Sequence, residues 1–513
     1  MWNFTLLQLT SSVALALITS ILCIFGINNH VLMCLHAKAY RRAAIYKKPS
    51  IPEEWPFVTI QVATYNEGYI VTRLLESCLK VDYPADKFEI IVIDDSTDET
   101  ISILREYEKR YYPKIKVIHR DTRAGYKAGA LNEALKNSRG EFILVLDADS
   151  ILEPDFLKKT IPIFLANEKI GFIQGKLKCL NERESWLTRT LALVNDWFAN
   201  FLQSSFLKCG MVMGFVGHGG IFRRKALEDV GGWMSDTIAE DLDIAYRLQL
   251  RGWKALYVEE AISFEEAPLS YYSAIIRFKR HIKGSLQNLA KHWWSIVKHK
   301  GLSPFKKVEA IMQLAYPLVY PLGLICLALT LITYAIIPGA IIDKFWLSVA
   351  GFICSAVMLI SLPCIALIIS PVPSLLIILL TSAFSLVLFS RIREIIRGIT
   401  WIDLKVIFGL LLVWCDNMLN CLSLIAGILR GKGEEWIPTE RILRRNISLK
   451  RGKKMAEASL RIIASITVIL SFIIIGTKNL SLNSFGALLP IVLWLYSAYI
   501  IMKDNVKVSL KRD

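Results

Sequence analysis

With 513 residues, 54% of them hydrophobic, the chain is longer than a single hydrophobic core requires, which excludes a one-domain protein. Its net charge of +16 lies largely beside apolar segments, a pattern typical of membrane proteins, so we expect contact with membrane lipids and no nucleic-acid partner. Ten cysteines are scattered without a CxxC pair, which argues against a zinc site and a disulfide framework.

The first apolar segment predicts a membrane anchor. It runs from about Phe4 to Leu35, is longer than the core of a signal peptide and has no small-residue cleavage site. Arg41 and Arg42 follow it directly, which predicts that the chain continues in the cytoplasm. Residues 1–49 are therefore interpreted as an anchor with a basic linker.

Residues 50–300 are predicted to form a cytoplasmic α/β domain. Buried-strand patterns alternate with segments of helical periodicity, which indicates a doubly wound parallel sheet with its ligand at the carboxyl edge. No GxGxxG or P-loop motif follows a strand, which argues against dinucleotide oxidoreductases and P-loop NTPases. The predicted strands are Phe57–Ala63, Phe88–Ile93, Ile115–Ile118 and Phe142–Leu146, and the predicted helices include Ile70–Lys80 and Gly129–Lys136.

Carboxylates follow two of these strands. Asp94 and Asp95 end the second strand, and Asp147 and Asp149 follow the fourth at a spacing that brings both near one divalent cation. Such oxygen ligands suit Mg²⁺ or Mn²⁺ bridging a diphosphate, because the metal offsets the charge that develops on a leaving nucleoside diphosphate. A solvated loop is the ordinary alternative for an isolated DxD sequence. Its place at a strand end favours the metal site.

Four further candidates lie outside these strand ends. Lys127 stands between glycines and is a candidate contact for a diphosphate, with a solvated loop lysine as the alternative. Gly219 belongs to a glycine-rich turn that admits an extended ligand, and His218 beside it is either an acceptor contact or a structural histidine. Asp241 is a candidate general base for an acceptor hydroxyl, or alternatively a helix N-cap.

Residues 301–513 predict a multi-pass domain in the cell membrane. The apolar runs each approach the ~20 residues of a spanning helix. Five to seven crossings are expected, because Arg391 would face outward if every run crossed and because Asp416 interrupts one run. The amphipathic segment Trp186–Leu207 favours a helix on the membrane or against the transmembrane helices, with a core helix as the alternative. The runs are Ala310–Ile337, Phe345–Ile369, Pro373–Ser390, Val406–Leu429, Leu460–Ile475 and Phe485–Met502.

Taken in order, these motifs resemble those of the membrane-embedded family-2 glycosyltransferases, the group that contains cellulose, mannan and hyaluronan synthases and certain glycolipid synthases. The resemblance implies a GT-A fold inserted between transmembrane helices, a UDP or GDP sugar as donor, Mg²⁺ or Mn²⁺, and a β-linked product. The matching motifs are Thr64-Tyr65-Asn66-Glu67, Asp94-Asp95-Ser96-Thr97-Asp98, Gly125-Tyr126-Lys127-Ala128-Gly129-Ala130-Leu131, Asp147-Ala148-Asp149, Ala239-Glu240-Asp241 and Glu435-Trp436-Ile437-Pro438-Thr439-Glu440-Arg441.

The resemblance also implies roles for single residues. Asp241 would be the catalytic base, in one motif with Glu240, and Arg280 would stabilise the departing diphosphate. Asp149 with Asp147 would hold the metal. The implied donor contacts are Thr64, Tyr65, Glu67, Asp95, Lys127, Asp147 and Asp149, together with Trp436, Thr439 and Arg441 in a gating loop near residues 431–456.

One motif departs from the family pattern. Polymerising members carry Gln-x-x-Arg-Trp beside the acceptor, whereas this chain has Arg277 at the first position and His281 in place of the tryptophan that stacks on a sugar. Arginine at the first position resembles some lipid glycosyltransferases. The sequence therefore predicts synthesis of a β-linked polysaccharide, with transfer to a membrane lipid as the alternative and a non-catalytic membrane scaffold as the least favoured hypothesis.

Overall fold

The computed structural model describes residues 2–40, 51–336, 405, 408–413, 415–421, 447–475 and 488–503. The gating residues Trp436, Thr439 and Arg441 lie outside the described residues, as do the apolar runs between residues 345 and 390, so these interpretations stay predictions. The described residues include the α/β domain from residue 51 onwards and helices that flank it in sequence.

Eight strands with helices on both faces form the α/β domain, and the sequence patterns place its first four strands to within one residue at each end. The strands are β1 Val58–Thr64, β2 Phe88–Asp94, β3 Ile115–His119, β4 Phe142–Asp147, β5 Ile151–Leu152, β6 Ile170–Cys179, β7 Gly220–Arg223 and β8 Lys254–Glu265. The helices are α1 Trp2–Tyr40, α2 Ile70–Leu79, α3 Thr100–Tyr111, α4 Tyr126–Asn137, α5 Phe156–Ala166, α6 Trp186–Asn195, α7 Leu202–Lys208, α8 Arg224–Asp229, α9 Glu240–Leu250, α10 Tyr271–Lys298, α11 Pro304–Ala315, α12 Val319–Ile336, α13 Ile447–Ile475 and α14 Leu488–Lys503.

The sheet is mixed, with the strand order β3-β2-β1-β4-β7-β6-β8-β5. The predicted parallel sheet is correct for β3-β2-β1-β4 and for the pair β6-β8. It is wrong for β7, which runs antiparallel to β4 and β6, and for β5, which runs antiparallel to β8. The reversal follows from the turn that precedes β7. Gly217 and Gly219 lie at the edge where β4 ends, both with positive φ, so the chain enters β7 from that edge and runs back across the sheet.

The sheet is covered on both faces, which explains why its strands read as nearly continuous apolar runs. Val58, Ile60 and Val62 of β1 are fully buried in one cluster with helices such as α2 and α5. Ile143 and Val145 of β4 belong to a second cluster, which contains residues of α4, α8 and α9. Alternate residues of one strand thus serve opposite layers, and this alternation sets which side chains reach each face.

Helix α11, the short turn Tyr316–Leu318 and helix α12 form one continuous helical segment. Its part Pro304–Leu329 is the one stretch in the described residues that is long and apolar enough to cross a membrane. Helices α13 and α14 pack against each other and against helical residues 408–421. Tyr271 and Ile275 of α10 lie in the same buried cluster as Leu412 and Trp494. The α/β domain and the C-terminal helices therefore share an apolar core.

The amphipathic segment Trp186–Leu207 has features of both predicted alternatives, a helix against the transmembrane helices and a core helix of the α/β domain. It forms α6, a π-helical turn at Asp196–Phe201, and α7. Asn200 faces the sheet, donating from Nδ2 to Leu177 O (2.8 Å) and accepting from Leu177 N (3.0 Å). Leu187 and Leu191 pack instead in the cluster that contains the C-terminal helices. The segment thus lies between the sheet and the helices of the predicted membrane domain.

Candidate active site

The ends of three parallel strands bring the predicted polar residues to one edge of the sheet. Thr64 at the end of β1 is in register with Asp94 of β2, and Asp147 ends β4 beside Ala63. Thr64 and Asp147 open into one cavity, which is also lined by loop 216–218, the start of α9 and one face of α10. Thr64 is 4% exposed, and its Oγ1 has no hydrogen-bond partner among the described residues, which leaves it available to a ligand in the cavity.

The two adjacent aspartates at the end of β2 have different surroundings. Asp94 is fully buried, accepts from Ser96 N (3.1 Å) and lies 2.8 Å from His119 Nδ1, so it stabilises the turn. Asp95 lines the cavity and accepts from Arg120 Nε (2.7 Å) and Nη2 (2.5 Å). The bidentate pair fixes the Asp95 carboxylate at the cavity wall.

Asp147 and Asp149 both line the cavity and repel each other. Burial, and then the charge of Asp147, raise the pKa of Asp149 to about 6. Burial also acts against ionisation of Asp147, but Lys127 and His218 outweigh it and lower its pKa. One carboxylate of the pair is therefore stabilised by a lysine, and the other lacks a sufficient positive partner.

Lys127 is an internal cation and does not have the exposure of a solvated loop lysine. Its side chain is 15% exposed, and its ammonium group donates to Asp147 Oδ1 and to Gly217 O (2.9 Å) and lies 3.9 Å from Glu240 Oε1. Burial disfavours the charged form, but Asp147 and Glu240 outweigh it and raise the pKa of Lys127. Lys127 therefore stays charged at the centre of the cavity.

Glu240 and Asp241 form the first turn of α9. The N-cap is Ala239, so the N-cap alternative for Asp241 is wrong. Asp241 Oδ1 accepts from Leu242 N (2.7 Å), and its other oxygen faces the backbone of Gly217, where an added Cβ would lie 3.0 Å away. Burial raises the pKa of both carboxyls, that of Glu240 to about 7. A base is more effective when its pKa approaches the working pH, so burial tunes this pair towards proton transfer.

Helix α10 contributes the opposite wall, where Arg277 pairs with a carboxylate that the sequence patterns did not single out. Arg277 Nη2 donates to both oxygens of Glu265, at 3.1 and 3.0 Å. Glu265 Oε2 also lies 3.4 Å from His218 Nε2. Burial opposes the charge of Glu265, but Arg277 and His218 outweigh it and lower its pKa to about 2. The Arg277–Glu265 ion pair, with His218 beside it, thus forms part of the cavity wall.

These contacts favour the structural alternative for His218. The side chain is 3% exposed, and its Nδ1 lies 3.1 Å from Ser150 Oγ. Gly219 is not part of the cavity lining, because it lies behind the wall with its Cα towards Ser263, where a Cβ would approach Oγ to 2.1 Å. Arg280 and His281 do line the cavity. Burial of His281, and then the charges of Arg277 and Arg280, lower its pKa to about 3, so its ring is neutral near pH 7.

Helix α10 is also joined to the helix that carries Asp241. Asp243 is fully buried and accepts from His292 (2.8 Å) and Lys291 (2.7 Å) of α10, and from Arg247 Nε (2.7 Å) of α9. Gly284 lets the two elements approach closely, since a Cβ there would lie 2.5 Å from the Cβ of Ala239. The distance between Asp241 and the basic residues of α10 is therefore fixed by packing.

The cavity is strongly acidic. Its lining contains eight carboxylates and four lysine or arginine side chains, so negative groups exceed positive ones by four. An anionic diphosphate would be repelled from such a site without an added cation. The described residues contain no group of three or more His, Cys, Asp or Glu side chains placed as a metal cluster. Two carboxylates suit Mg²⁺ or Mn²⁺, which complete their coordination with water and phosphate oxygens, so Asp147 and Asp149 fit the predicted metal.

The structure brings together nearly all of the predicted residues that it describes. Thirteen of them line the cavity: Thr64, Tyr65, Glu67, Asp95, Lys127, Asp147, Asp149, His218, Glu240, Asp241, Arg277, Arg280 and His281. Sequence reasoning missed Glu265, at the end of β8, and Arg123, which lies 3.5 Å over the Tyr65 ring. Glu265 had a usable signal, because it ends a strand as Asp94 and Asp147 do.

The sequence is similar to known glycosyltransferases. The family model described as "Glycosyl transferase family group 2" matches residues 142–390. Glucomannan 4-beta-mannosyltransferase 2 of Arabidopsis thaliana is 34% identical over 266 residues, which cover 50% of this chain and 49% of that protein. Glucomannan 4-beta-mannosyltransferase 1 of Cyamopsis tetragonoloba is 33% identical over 249 residues, 47% of either chain. The match thus spans about half the length of these curated relatives.

A solved structure is also similar. It is the mannosyltransferase PcManGT from Pyrobaculum calidifontis in complex with GDP-Man and Mn²⁺, at 25% sequence identity and a TM-score of 0.52. The alignment covers 68% of this chain and 98% of that one. The fold similarity therefore extends over almost all of that protein, and beyond the length of the α/β domain in this one.

Proposed function

Because the chain belongs to the family-2 glycosyltransferases, of the cellulose and mannan synthase type, we propose that it transfers a sugar from a nucleotide-diphosphate donor to a β-linked polysaccharide at a membrane, with inversion at the anomeric carbon. Its α/β domain has a GT-A-like fold. The observation that carries the proposal is the convergence of Asp95, Lys127, Asp147, Asp149 and Asp241 in one cavity.

GDP-mannose is the donor we propose to test first. The solved neighbour binds GDP-Man with Mn²⁺, and the curated relatives are named mannosyltransferases. Asp95, held by Arg120, would accept from the base or ribose of the nucleotide, and Thr64 offers its unpartnered hydroxyl beside it. UDP sugars remain in the test because no contact in the cavity selects between the two bases.

The basic residues supply what the departing diphosphate needs. A divalent cation held by Asp147 and Asp149 would neutralise part of its charge. Lys127, already charged between Asp147 and Glu240, would contact the phosphates as a point charge, and Arg280 would reach them from α10. Movement of Lys127 from Asp147 to the phosphates would free Asp147 for the cation.

Asp241 would remove the proton from the attacking acceptor hydroxyl. Glu240 has a pKa of about 7, so a large part of it is protonated near neutral pH, and Asp241, whose ordinary pKa is lower, would act as the base. Two adjacent carboxyls with different protonation states can divide acid and base roles. The hydroxyl would then attack the anomeric carbon as the nucleoside diphosphate leaves.

Transfer to a membrane lipid is the second candidate function, and two residues of α10 that line the cavity favour it. Arg277 and the neutral ring of His281 stand where polymerising relatives carry glutamine and tryptophan, so the large stacking surface for a sugar is missing at that position. We propose a membrane protein with its catalytic domain in the cytoplasm and five to seven crossings. The apolar helix Pro304–Leu329 supports the membrane location, and the number of crossings and the cytoplasmic side rest on the sequence pattern.

Labelled donor decides between the two acceptors. Membranes containing the full chain would be incubated with radiolabelled GDP-mannose, UDP-glucose or UDP-N-acetylglucosamine and Mn²⁺, and the label separated into solvent-soluble lipid and insoluble polymer. Label in an alkali-resistant polymer that a β-mannanase degrades would support the polysaccharide proposal. Label confined to the lipid fraction would contradict it and support the lipid acceptor, and no transfer above Asp241→Asn membranes would contradict both.

A further inference from the structure

An ion-pair network outside the cavity connects the C-terminal helices to α10. It consists of Asp416, Arg461, Glu457 and Lys279. Arg461 of α13 donates to Asp416, from Nε to Oδ1 at 2.8 Å and from Nη2 to Oδ2 at 2.6 Å. Its Nη1 donates to Glu457 Oε2 at 2.8 Å, and Glu457 Oε1 accepts from Lys279 Nζ of α10. The network runs from the middle of the helix pair to the α/β domain.

The network is deeply buried. The Arg461 side chain is 0% exposed and that of Asp416 is 2% exposed. The Arg461 guanidinium has further hydrogen-bond partners, since it also donates to Ser497 Oγ (2.9 Å) and to Asn420 Oδ1 (3.0 Å). Desolvating such groups costs several kcal/mol per ion, and apolar side chains of similar size often give equal or greater stability. Ionisable groups in apolar helices are therefore better explained by a role than by stability.

In the turns of α10 that contact this network, one face of the helix lines the cavity and another faces the C-terminal helices. Arg277, Arg280 and His281 line the cavity. Lys279 and Tyr271 face the C-terminal helices, where Lys279 contacts Glu457 and the Tyr271 hydroxyl has hydrogen bonds with Ser497 and Asp416. In an α-helix Lys279 lies about 200° around the axis from Arg277, so a shift of one face moves the other.

Glu457 is the residue that contacts both sides. One of its oxygens pairs with Lys279 on the catalytic side, and the other pairs with Arg461 inside the helix pair. A second contact runs parallel to it, because the Lys454 ammonium lies 5.4 Å from the Tyr272 ring centroid. None of these five residues lines the cavity. Their effect on the reaction must therefore pass through the position of α10.

We propose that Glu457 is a positioning residue: by joining Lys279 to the buried Arg461–Asp416 pair, it holds the turn of α10 that carries Arg277, Arg280 and His281 in register with Asp241. The inference rests on the proposed transfer function, since the proposed acceptor contacts Arg277 and His281 lie on α10. Loss of the contact leaves most donor contacts in place, because Asp95, Lys127, Asp147 and Asp149 come from strands and helices that the network does not touch, and Arg280 is the proposed donor contact that α10 carries.

The test measures how consumed donor is divided between transfer and hydrolysis. The full chain in lipid nanodiscs would receive GDP-mannose, Mn²⁺ and β-1,4-mannotetraose as the acceptor probe. For Glu457→Gln we expect at least a tenfold fall in the ratio of extended oligosaccharide to free mannose, with the Kd for GDP within twofold of wild type. Lys279→Arg keeps the ion pair and is expected to keep the ratio, whereas Lys279→Met is expected to behave as Glu457→Gln does.

Two comparisons separate positioning from general damage. The double variant Glu457→Gln with Lys279→Met is expected to be no worse than either single change, because both remove one contact. Asp82→Asn removes an exposed aspartate–lysine pair of 2.6 Å and is the matched control, expected to leave the ratio unchanged. Multiplying effects in the double variant, or parallel loss of GDP binding, would contradict the proposal.

A second measurement tests the role of Glu457 without requiring transfer activity. Amide hydrogen exchange of residues 277–284 is expected to be at least fivefold faster in Glu457→Gln, with exchange of β1 and β4 unchanged. If wild type consumes no donor, the transfer function fails and this exchange still decides whether Glu457 holds α10. Unchanged exchange, or faster exchange with an unchanged transfer ratio in an active enzyme, would overturn the inference.

Discussion

At the residue scale, burial makes the carboxylates of the cavity chemically unequal. Asp95 and Glu265 are each held by an arginine, whereas Asp149 has a pKa raised to about 6 by burial and by Asp147. The same two causes that make Asp149 costly to ionise make it a strong partner for a divalent cation. Carboxylates that a protein does not neutralise internally are candidates for such binding.

Asp149→Asn tests this directly through stability. The folded-state pKa of Asp149, about 6, exceeds the usual value of 3.8. Protonated Asp149 therefore contributes fully to the stability of the folded state below about pH 3.8, and this contribution is lost as pH rises through 6. Without divalent cations, the variant is expected to melt roughly 2–4 °C above wild type at pH 8, with little difference near pH 4. Thermal unfolding followed by tryptophan fluorescence measures this.

Addition of Mn²⁺ supplies the control. It is expected to raise the melting temperature of wild type at pH 8 and to do so much less for Asp149→Asn. A variant that is less stable than wild type in metal-free buffer at pH 8 would show that Asp149 is a structural residue and not an unneutralised ligand.

The sequence predicted the carboxylates at strand ends because their chemistry follows from local pattern. Asp94, Asp95, Asp147 and Asp149 each follow a run of buried residues, and a parallel sheet gathers such ends at one edge. Which aspartate of a pair faces the ligand was not predictable from pattern. Asp94 turns towards His119 and Asp95 towards Arg120, and both partners lie on the next strand or just after it.

At the element scale, the close approach of α10 to the start of α9 determines the geometry of the catalytic pair. Gly284 is the point of contact, and Asp243 with His292 is the polar contact beside it. The contact was not predictable from sequence, because nothing local specifies which element packs against a small residue such as Gly284.

Gly284→Ala is therefore expected to lower turnover more than donor affinity. A Cβ at residue 284 would come within 2.5 Å of the Cβ of Ala239, so α10 and the Glu240–Asp241 turn must separate by about an ångström. A misplacement of that size can reduce the rate of transfer about 100-fold. Steady-state kinetics should show a fall in kcat with the Kd for GDP unchanged. Ser295→Ala, at an exposed position of the same helix, is expected to be silent, and equal losses in both variants would contradict the packing argument.

The strand directions in the second half of the sheet were not predicted correctly from the sequence. The strands β1 to β4 alternate regularly with helices, and their pattern predicted them well. The reversal at β7 depends on the turn at Gly217 and Gly219 and on contacts with β6 that lie far away in sequence. Non-local pairing of this kind leaves no periodic signal, so a mixed sheet was read as a parallel one.

At the scale of the whole molecule, the catalytic domain and the C-terminal helices are joined by both apolar and ionic contacts. Tyr271 and Ile275 share a core with Trp494, and Lys279 pairs with Glu457. The position of the interrupting Asp416 was apparent in sequence, but its partner Arg461 is 45 residues away on another helix. That pairing explains how an aspartate is accommodated in an apolar run.

Arg461→Met is expected to destabilise the protein by about 3–5 kcal/mol, because it leaves the Asp416 carboxylate buried without a counter-charge. Replacing both residues, with Asp416→Leu and Arg461→Met, removes the uncompensated charge and is expected to recover much of the loss. Thermal unfolding in detergent, on matched preparations, compares the three proteins. A double variant less stable than Arg461→Met alone would contradict the account of this pair.

The measurement that tests the central claim most directly compares binding and transfer in Asp241→Asn. The change keeps the size of the side chain and its hydrogen bond to Leu242 N while removing the base. We expect GDP to bind within about threefold of wild type in the presence of Mn²⁺, and transfer of labelled mannose to fall about 1,000-fold, within the range for loss of a general base. Transfer at more than a tenth of the wild-type rate, with binding intact, would contradict the assignment of Asp241 and with it the proposed mechanism.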